Sequence, residues 1–565
     1  MLRAAPASVL GACLSSLIAA TLAACGSSSA PVEVGPAPTP TPTSVAAQAM
    51  DVTVISPAPD NLTGAATTAI AATVFVPAHV PGQTYPLILH SHGWGGNRID
   101  ASDAETNNQN ADTSTLYSRI VDLEVKPFWD AGYAVISFDE RGIADSGGAV
   151  RVMDPAYETV DAMAILDWAE ANLDLATDAG GDPWVGTIGG SYGGGFQLLL
   201  AALDPRVDAI APSATWYDLN DALQPGGVLA KGWLAGLCLV AKTDQRRMDA
   251  VVQSACEEAA DLPTTHYSED LLVSGAGITG YFREHSLAAF ARRHRDPADP
   301  YKMQPVHALF IQGMRDTLFS LNHAVQGHRF LAELGGDVRL LTHQHGHILP
   351  APFSANAALG SIACGAHDTI EAIRAFMDAK LRGNAAALDG LPRVCLSLDD
   401  VEGIDLDAVP VGGGLVLTVP PTSVTGLDGN VGAGTGPTFV PLAEPVAGSA
   451  QVLAGVPTAT LTVTSDVPGV VGTAFIAIGI QRGDAAPFPV DYQVQPLRSD
   501  RVHEDEELRG VGERLQPGDR VGLLIYGDFI EFEEAGQSLN FLANAVTVEG
   551  SVQLPIFSAD GNASR

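Results

Sequence analysis

The run Trp184-Val185-Gly186-Thr187-Ile188-Gly189-Gly190-Ser191-Tyr192-Gly193-Gly194-Gly195-Phe196 constrains the fold of this chain more than any other stretch. A short apolar segment leads straight into Gly-Gly-Ser-Tyr-Gly, and an apolar stretch of helical character, Phe196 to Leu203, follows. This is the G-x-S-x-G pattern set between a strand and a helix, where the tight turn lifts a serine hydroxyl above a sheet. Gly189 and Gly193 suit such a turn because a Cβ at either would meet a neighbouring strand or helix. A linker would not be flanked by apolar runs. A phosphate loop would need Lys and then Ser or Thr after its last glycine, and the sequence has neither there. Ser191 is therefore the candidate nucleophile.

Around this turn, β-type runs alternate with helical stretches. Thr68–Val76, Tyr85–His90, Tyr133–Asp139, Val207–Ala211, Val306–Ile311 and Val338–Leu341 read as strands. Ile120–Trp129 and Tyr157–Leu173 read as helices, the second with Val160, Ala164, Ile165 and Trp168 at helical spacing. Such alternation predicts a largely parallel sheet covered on both faces. Between Trp216 and about Asp299 the pattern turns mainly helical, which reads as a cap inserted between two core strands. Helix Thr369–Leu381 closes the alternating region, and after Arg393 short β-type runs recur between Gly and Pro turns. That texture predicts an all-β sandwich. With 565 residues, at least two domains are expected. The expected architecture is an α/β catalytic domain over 50–390 with a helical cap at 216–299, then a β domain over 395–560.

The net charge of −35 argues against a nucleic-acid partner, since phosphate binding needs clustered Lys and Arg. At the N-terminus, Arg3 precedes an apolar stretch from Val9 to Ala20 that reads as an export signal over 1–24. It ends in Leu22-Ala23-Ala24-Cys25, which resembles a bacterial lipobox and implies cleavage before Cys25 and lipidation of its thiol. Residues 25–49, rich in Ser, Pro and Thr, read as a tether. The expected location is outside the cytoplasm, on a bacterial membrane. Beyond Cys13 and Cys25, four cysteines remain, and an exported chain meets oxidising conditions. Three pairings exist; proximity in sequence favours Cys238–Cys256 and Cys364–Cys395. No pattern of zinc spacing accompanies them, so neither metal nor cofactor is expected.

A serine hydroxyl needs a base to take its proton and a third group to orient the base. In this strand–turn–helix context the chain order is Ser, acid, His. Asp316 follows the strand Val306–Ile311 and is the candidate acid; its other reading is a helix cap near Ser320. The base is sought in Thr342-His343-Gln344-His345-Gly346-His347-Ile348-Leu349-Pro350. His347, after a glycine at the loop apex, is preferred, with His345 as reserve and His343 third. Oxyanion donors are expected from the backbone N–H of Tyr192 and of Trp94 in His90-Ser91-His92-Gly93-Trp94-Gly95-Gly96-Asn97. Trp216 and Tyr217, after a core strand and at the mouth of the cap, read as pocket lining or as packing of cap on core.

Several motifs together make the chain resemble the X-Pro dipeptidyl-peptidase family and its cocaine-esterase-like acyl hydrolases. They are Gly189-x-Ser191-Tyr192-x-Gly194, Asp139-Glu140-Arg141-Gly142 with Ser146-Gly147-Gly148, Glu158-x-x-Asp161 with Asp167-Trp168, and Asp316-Thr317-Leu318-Phe319. The resemblance implies an α/β-hydrolase domain, a helical insertion, a jelly-roll C-terminal domain and serine hydrolysis of amide or ester bonds. Cocaine-esterase-like members place a tyrosine hydroxyl in the oxyanion loop; here Trp94 stands in a loop without Tyr, which leaves backbone donors. The expected activity is cleavage of a small carboxylic ester or amide through an acyl-enzyme. Release of X-Pro dipeptides is the alternative; it needs a pocket carboxylate for the substrate ammonium, and the cap offers Asp218, Asp221 and Glu284. A third reading is an inactive surface protein that binds through its β domain.

Overall fold

The computed structural model describes residues 44–106, 125–243, 245–260, 272–273, 276–349, 362–413, 415–429, 436–442, 444, 451–532, 544–558 and 563–564. The export signal, Cys25 and most of the tether lie outside the described residues.

The first strands are Gln48–Ser56 (β1), Thr68–Val76 (β2), Leu87–Ser91 (β3), Ala134–Phe138 (β4), Val185–Gly190 (β5) and Val207–Ser213 (β6). After the cap come His307–Gly313 (β7), Val338–His343 (β8), Val394–Ser397 (β9) and Gly403–Leu406 (β10). With Ala563–Ser564 they form one eleven-stranded sheet in the order β1-β2-β4-β3-β5-β6-β7-β8-β9-β10 and then Ala563–Ser564. From β4 to β9 the neighbours are parallel, and antiparallel strands edge the sheet on both sides. β3, β4 and β5 are buried at every position, as strands covered on both faces must be. Helix Tyr192–Leu203 (α1) leaves β5 at Ser191 and packs on β5 and β6; it is buried from Tyr192 to Ala202. A helix this apolar on all sides is stable only when enclosed.

Two expected boundaries shift. β1 begins at Gln48, inside the stretch read as tether. The catalytic sheet does not close near residue 390, because β9, β10 and Ala563–Ser564 extend it. Short β-type runs look alike in sequence whichever sheet they join, and hydrogen-bond partners decide.

The cap between β6 and β7 holds helices Leu219–Leu223 (α2), Lys231–Thr243 (α3), Ala250–Ala260 (α4), Ile278–Glu284 (α5) and Leu287–Arg295 (α6). Disulfides join Cys238 to Cys256 and Cys364 to Cys395. The first links α3 to α4; the second ties β9 to the segment before helix Thr369–Leu381 (α7).

The C-terminal region is antiparallel. Strands 415–425, 545–554, 458–465 and 503–507 make one sheet; 438–441, 520–526, 473–481 and 495–498 belong to another. Strand Thr458–Ser465 buries alternate residues, the period-two pattern of a sandwich face. Leu461, Val463, Ile476, Ile478, Leu523, Ile525, Val546 and Val548 fill the space between. The protein is thus an α/β-hydrolase domain with a helical cap, followed by a β-sandwich. Catalytic and β regions lie in one compact unit, Ser44–Arg565.

Candidate active site

Ser191 sits at the end of β5 with φ 55° and ψ −115°. A non-glycine residue there costs on the order of 1–3 kcal/mol, so its surroundings must enforce it. They do so through the backbone. Ser191 N–H donates to Ser213 O at 2.8 Å, and Ser191 O accepts from Thr215 Oγ1 at 2.8 Å. Gly193 has to be glycine, since a Cβ there would lie 2.1 Å from Ser91 O at the end of β3. That close approach sets the β3 loop against the first turn of α1.

The structure brings three of the sequence candidates together. His347 Nε2 is 3.1 Å from Ser191 Oγ, and His347 Nδ1 is 2.6 Å from Asp316 Oδ2. An ionised carboxylate only accepts, so Nδ1 carries the proton and Nε2 is left to accept from the serine hydroxyl. Asp316 is fully buried, and its other oxygen accepts from Leu318 N–H at 3.1 Å and Phe319 N–H at 2.7 Å. The base loop crosses the acid turn at Gly346, whose φ is +146° and whose Cβ position lies 2.5 Å from Asp316 Cα. Only glycine permits that crossing. His347 also packs edge-on against Trp233 and Phe319. His343 is buried at the end of β8, where burial pushes its imidazole down to about 3, and Nδ1 accepts from His345 N–H at 3.1 Å. His345 is buried beside it, the two rings 5.5 Å apart.

Tyr192 is the first residue of α1, so its own N–H has no carbonyl one turn back in the helix to donate to. Trp94 lies in the turn after β3; its indole N–H donates to Leu237 O at 2.9 Å, and its ring stands edge-on to Tyr192 at 5.1 Å. The Asp139-Glu140-Arg141 motif forms the platform under this loop. Ser91 Oγ donates to Glu140 Oε1 at 2.6 Å, and Glu140 N–H donates to His92 Nε2 at 3.2 Å. Burial lifts the Glu140 carboxyl well above the usual range and pushes His92 down to about 3, so His92 is a neutral acceptor. Arg141 forms a two-pronged pair with Asp161 at 2.8 and 2.6 Å, both side chains buried. Breaking one partner of such a pair leaves an uncompensated charge, at a cost of about 3–5 kcal/mol.

Ser191 opens onto a cavity of ≈ 70 Å³ whose lining, Tyr192 apart, is otherwise apolar, including Trp94, Trp216, Leu234, Leu237, Phe282 and Phe319. Trp216 is among the lining residues. Tyr217 is not: it lies beside Arg295 of α6, and its N–H donates to His323 Nδ1 at 3.4 Å. The cap carboxylates are absent from the lining too. Asp218 caps α2, and Glu284 is exposed, 3.8 Å from Arg292. Among the described residues one trio, His367, Cys395 and Asp405, clusters in a metal-like way, but the Cys395 sulfur is in a disulfide.

Residues outside the sequence reading also reach the site. Gln493, from the β-sandwich, donates from Nε2 to Met314 O and to Asp316 O, each at 2.9 Å. Arg509 donates to Thr317 O at 3.2 Å, and Trp233 of α3 donates to Thr317 Oγ1 at 3.1 Å. Nothing local marks these residues; the fold selects them.

Residues 66–349 match the X-Pro dipeptidyl-peptidase family, S15, over half of the chain. The chain belongs to this family. Family and fold are those of hydrolases. This S15-family chain superimposes on a CocE/NonD family hydrolase from Staphylococcus aureus with a TM-score of 0.56 at 13% identity, covering 93% of this chain and 99% of that one. An α-amino acid ester hydrolase gives a TM-score of 0.54 at 14% identity, covering 93% and 100%. At such identity the likeness is one of fold. An uncharacterized 31.7 kDa protein of Escherichia coli is 34% identical over 142 residues, which span 25% of this chain and 41% of the relative's length.

Proposed function

We propose that this protein is a serine carboxylic-ester hydrolase, also competent on small amides, with Ser191 as nucleophile, His347 as base and Asp316 as orienting acid. The observation that carries the reading is the unbroken relay from Asp316 through His347 to Ser191, opening onto an apolar cavity. Ser191 Oγ attacks the acyl carbonyl while its proton passes to His347 Nε2. Asp316 stabilises the imidazolium that forms. The oxyanion takes hydrogen bonds from Tyr192 N–H and Trp94 N–H, each worth on the order of 3 kcal/mol of barrier. His347 then returns the proton to the departing alkoxide or amine, and water repeats the cycle on the acyl-enzyme.

The lining favours an acyl group without charge. An N-terminal dipeptide would bring an ammonium, and among the described residues no carboxylate lines the cavity. Release of X-Pro dipeptides is the second reading, kept by family membership. The test is a panel of short acyl esters and Gly-Pro-anilide, run on the wild type and on Ser191→Ala. Ester turnover should exceed anilide turnover, and Ser191→Ala should lose about 10⁶-fold in kcat. Faster anilide turnover would favour the dipeptidase. Failure of a fluorophosphonate to label Ser191 would sink both.

We infer further that the chain acts outside the cytoplasm, held by a lipid on Cys25. The Leu22-Ala23-Ala24-Cys25 sequence and the two disulfides support this. Among the described residues no helix is long and apolar enough to cross a membrane. Cells fed radiolabelled palmitate should label the wild type and not Cys25→Ser; equal labelling would refute the anchor.

A further inference from the structure

One disulfide borders two hollows. Cys238 and Cys256 line the ≈ 70 Å³ cavity that holds Ser191. The same two residues line a groove of ≈ 610 Å³ on the outside of the cap, with exposed Leu239, Lys242, Gln253 and Glu257. The inner wall is shared between two helices. Leu234, Leu237 and Cys238 come from α3; Val252, Ala255 and Cys256 come from α4.

Each helix is anchored separately. α3 is held by Gly232 N–H on Glu531 O at 3.0 Å, by the Trp233 indole on Thr317 Oγ1, and by the Trp94 indole on Leu237 O. α4 is held at its start by Asp249, which accepts from Asn61 Nδ2 at 2.9 Å and pairs with Arg151 at 3.0 Å. The disulfide fixes the gap between the two helices at a Cα–Cα distance of 5.5 Å. Neither its sulfurs nor its neighbours on the cavity side offer a charge or a hydrogen-bond donor that would recognise a polar substrate end.

We propose that the Cys238–Cys256 bridge is the specificity-determining end wall of the acyl cavity, which limits the enzyme to short acyl groups. This deepens the ester-hydrolase reading and rests on it. With the bridge present, a growing acyl chain meets two sulfurs. With it removed, the cavity continues into the outer groove, and longer chains find apolar surface on Leu239 and on the stems of the groove residues. The bridge is also the more reducible of the two. Cys364 and Cys395 are 0% exposed, whereas Cys238 and Cys256 are partly exposed. An external dithiol would attack one sulfur as thiolate and then close its own disulfide. It gives up two electrons and two protons and leaves Cys238 and Cys256 as thiols.

The experiment measures kcat/KM for p-nitrophenyl butyrate and octanoate on the wild type and on Cys238→Ala/Cys256→Ala, per site titrated by fluorophosphonate. The wild type should prefer butyrate, and the double variant should raise the octanoate-to-butyrate ratio about tenfold or more, within the range that methylene discrimination in an apolar pocket allows. An unchanged ratio in a folded, fully titrating variant overturns the proposal. Should the variant not fold, the same ratio is read on wild type treated with a dithiol, once thiol titration finds two free thiols per chain; a rise supports the wall and no change overturns it. Absence of fluorophosphonate labelling in the wild type would instead overturn the hydrolase reading itself.

Discussion

Ser191, Asp316 and His347 are held by backbone groups at the ends of buried strands, whereas the cavity beside them is walled by side chains of a cap. On the reaction side, Ser191 is fixed through Ser213 O and Thr215, and Asp316 through two amides of its own turn. On the cavity side, the walls are Leu, Phe, Trp and a disulfide carried by helices between β6 and β7. Hydrogen bonds to backbone have narrow geometry and fix a reacting atom; apolar packing fixes volume and little else. Chemistry and selectivity are therefore separable here, and substitutions should fall on one side or the other.

The largest expected effect lies on the reaction side. Asp316→Asn keeps the shape but removes the acceptor that selects the His347 tautomer. It should lower kcat by about 10⁴-fold with the ester profile unchanged. A loss under tenfold, measured on a short acyl ester, would mean that another group orients His347. A smaller effect should come from Gln493, which belongs to the β-sandwich and yet holds the acid turn. Gln493→Ala should lower kcat about 10- to 100-fold with KM nearly constant, as expected when a reacting group is misplaced by about 1 Å. A change confined to KM would place Gln493 on the cavity side of the comparison.

The smallest expected effect is on stability and pH. Asp491 and Tyr492, just before Gln493, both have positive φ, and the buried Asp491 carboxylate accepts from Gly512 N–H at 2.8 Å. Burial pushes Asp491 up to about 7. An unfolded Asp titrates near ~3.9, so between that pH and 7 the folded chain keeps a proton that the unfolded chain releases. Stability from this group is therefore lost as pH rises through that window and is level above it. Glu531, pushed up to about 7 by burial, acts in the same direction. Asp491→Asn should raise Tm more at pH 8 than at pH 5, by on the order of a few degrees. An equal change at both pH values would show that Asp491 is ionised in the fold.

Much of the reaction side could be read from the sequence because its determinants are local. Ser191 announces itself by flanking glycines, Asp316 by its place after a core strand, and His347 by the glycine before it. Those glycines are needed where two backbones touch, at Gly193 against Ser91 and at Gly346 against Asp316. The cavity side was less legible. Trp216 and Tyr217 are adjacent and of similar chemistry, and only the turn of the chain put one in the cavity and the other against Arg295. The strands Val394–Ser397 and Gly403–Leu406 resembled those of the sandwich and joined the catalytic sheet.

The amino-acid order alone determined the strand–turn–serine–helix, the glycines beside Ser191 and His347, and the change to β texture after Arg393, because each follows from short-range periodicity and backbone sterics. The tertiary structure alone decided that Gln493 supports the acid turn, that Glu140 holds the β3 loop through Ser91, and that one disulfide lines both the cavity and the outer groove. These are meetings of residues far apart in the chain. Packing of whole elements sets them, and no local pattern records it.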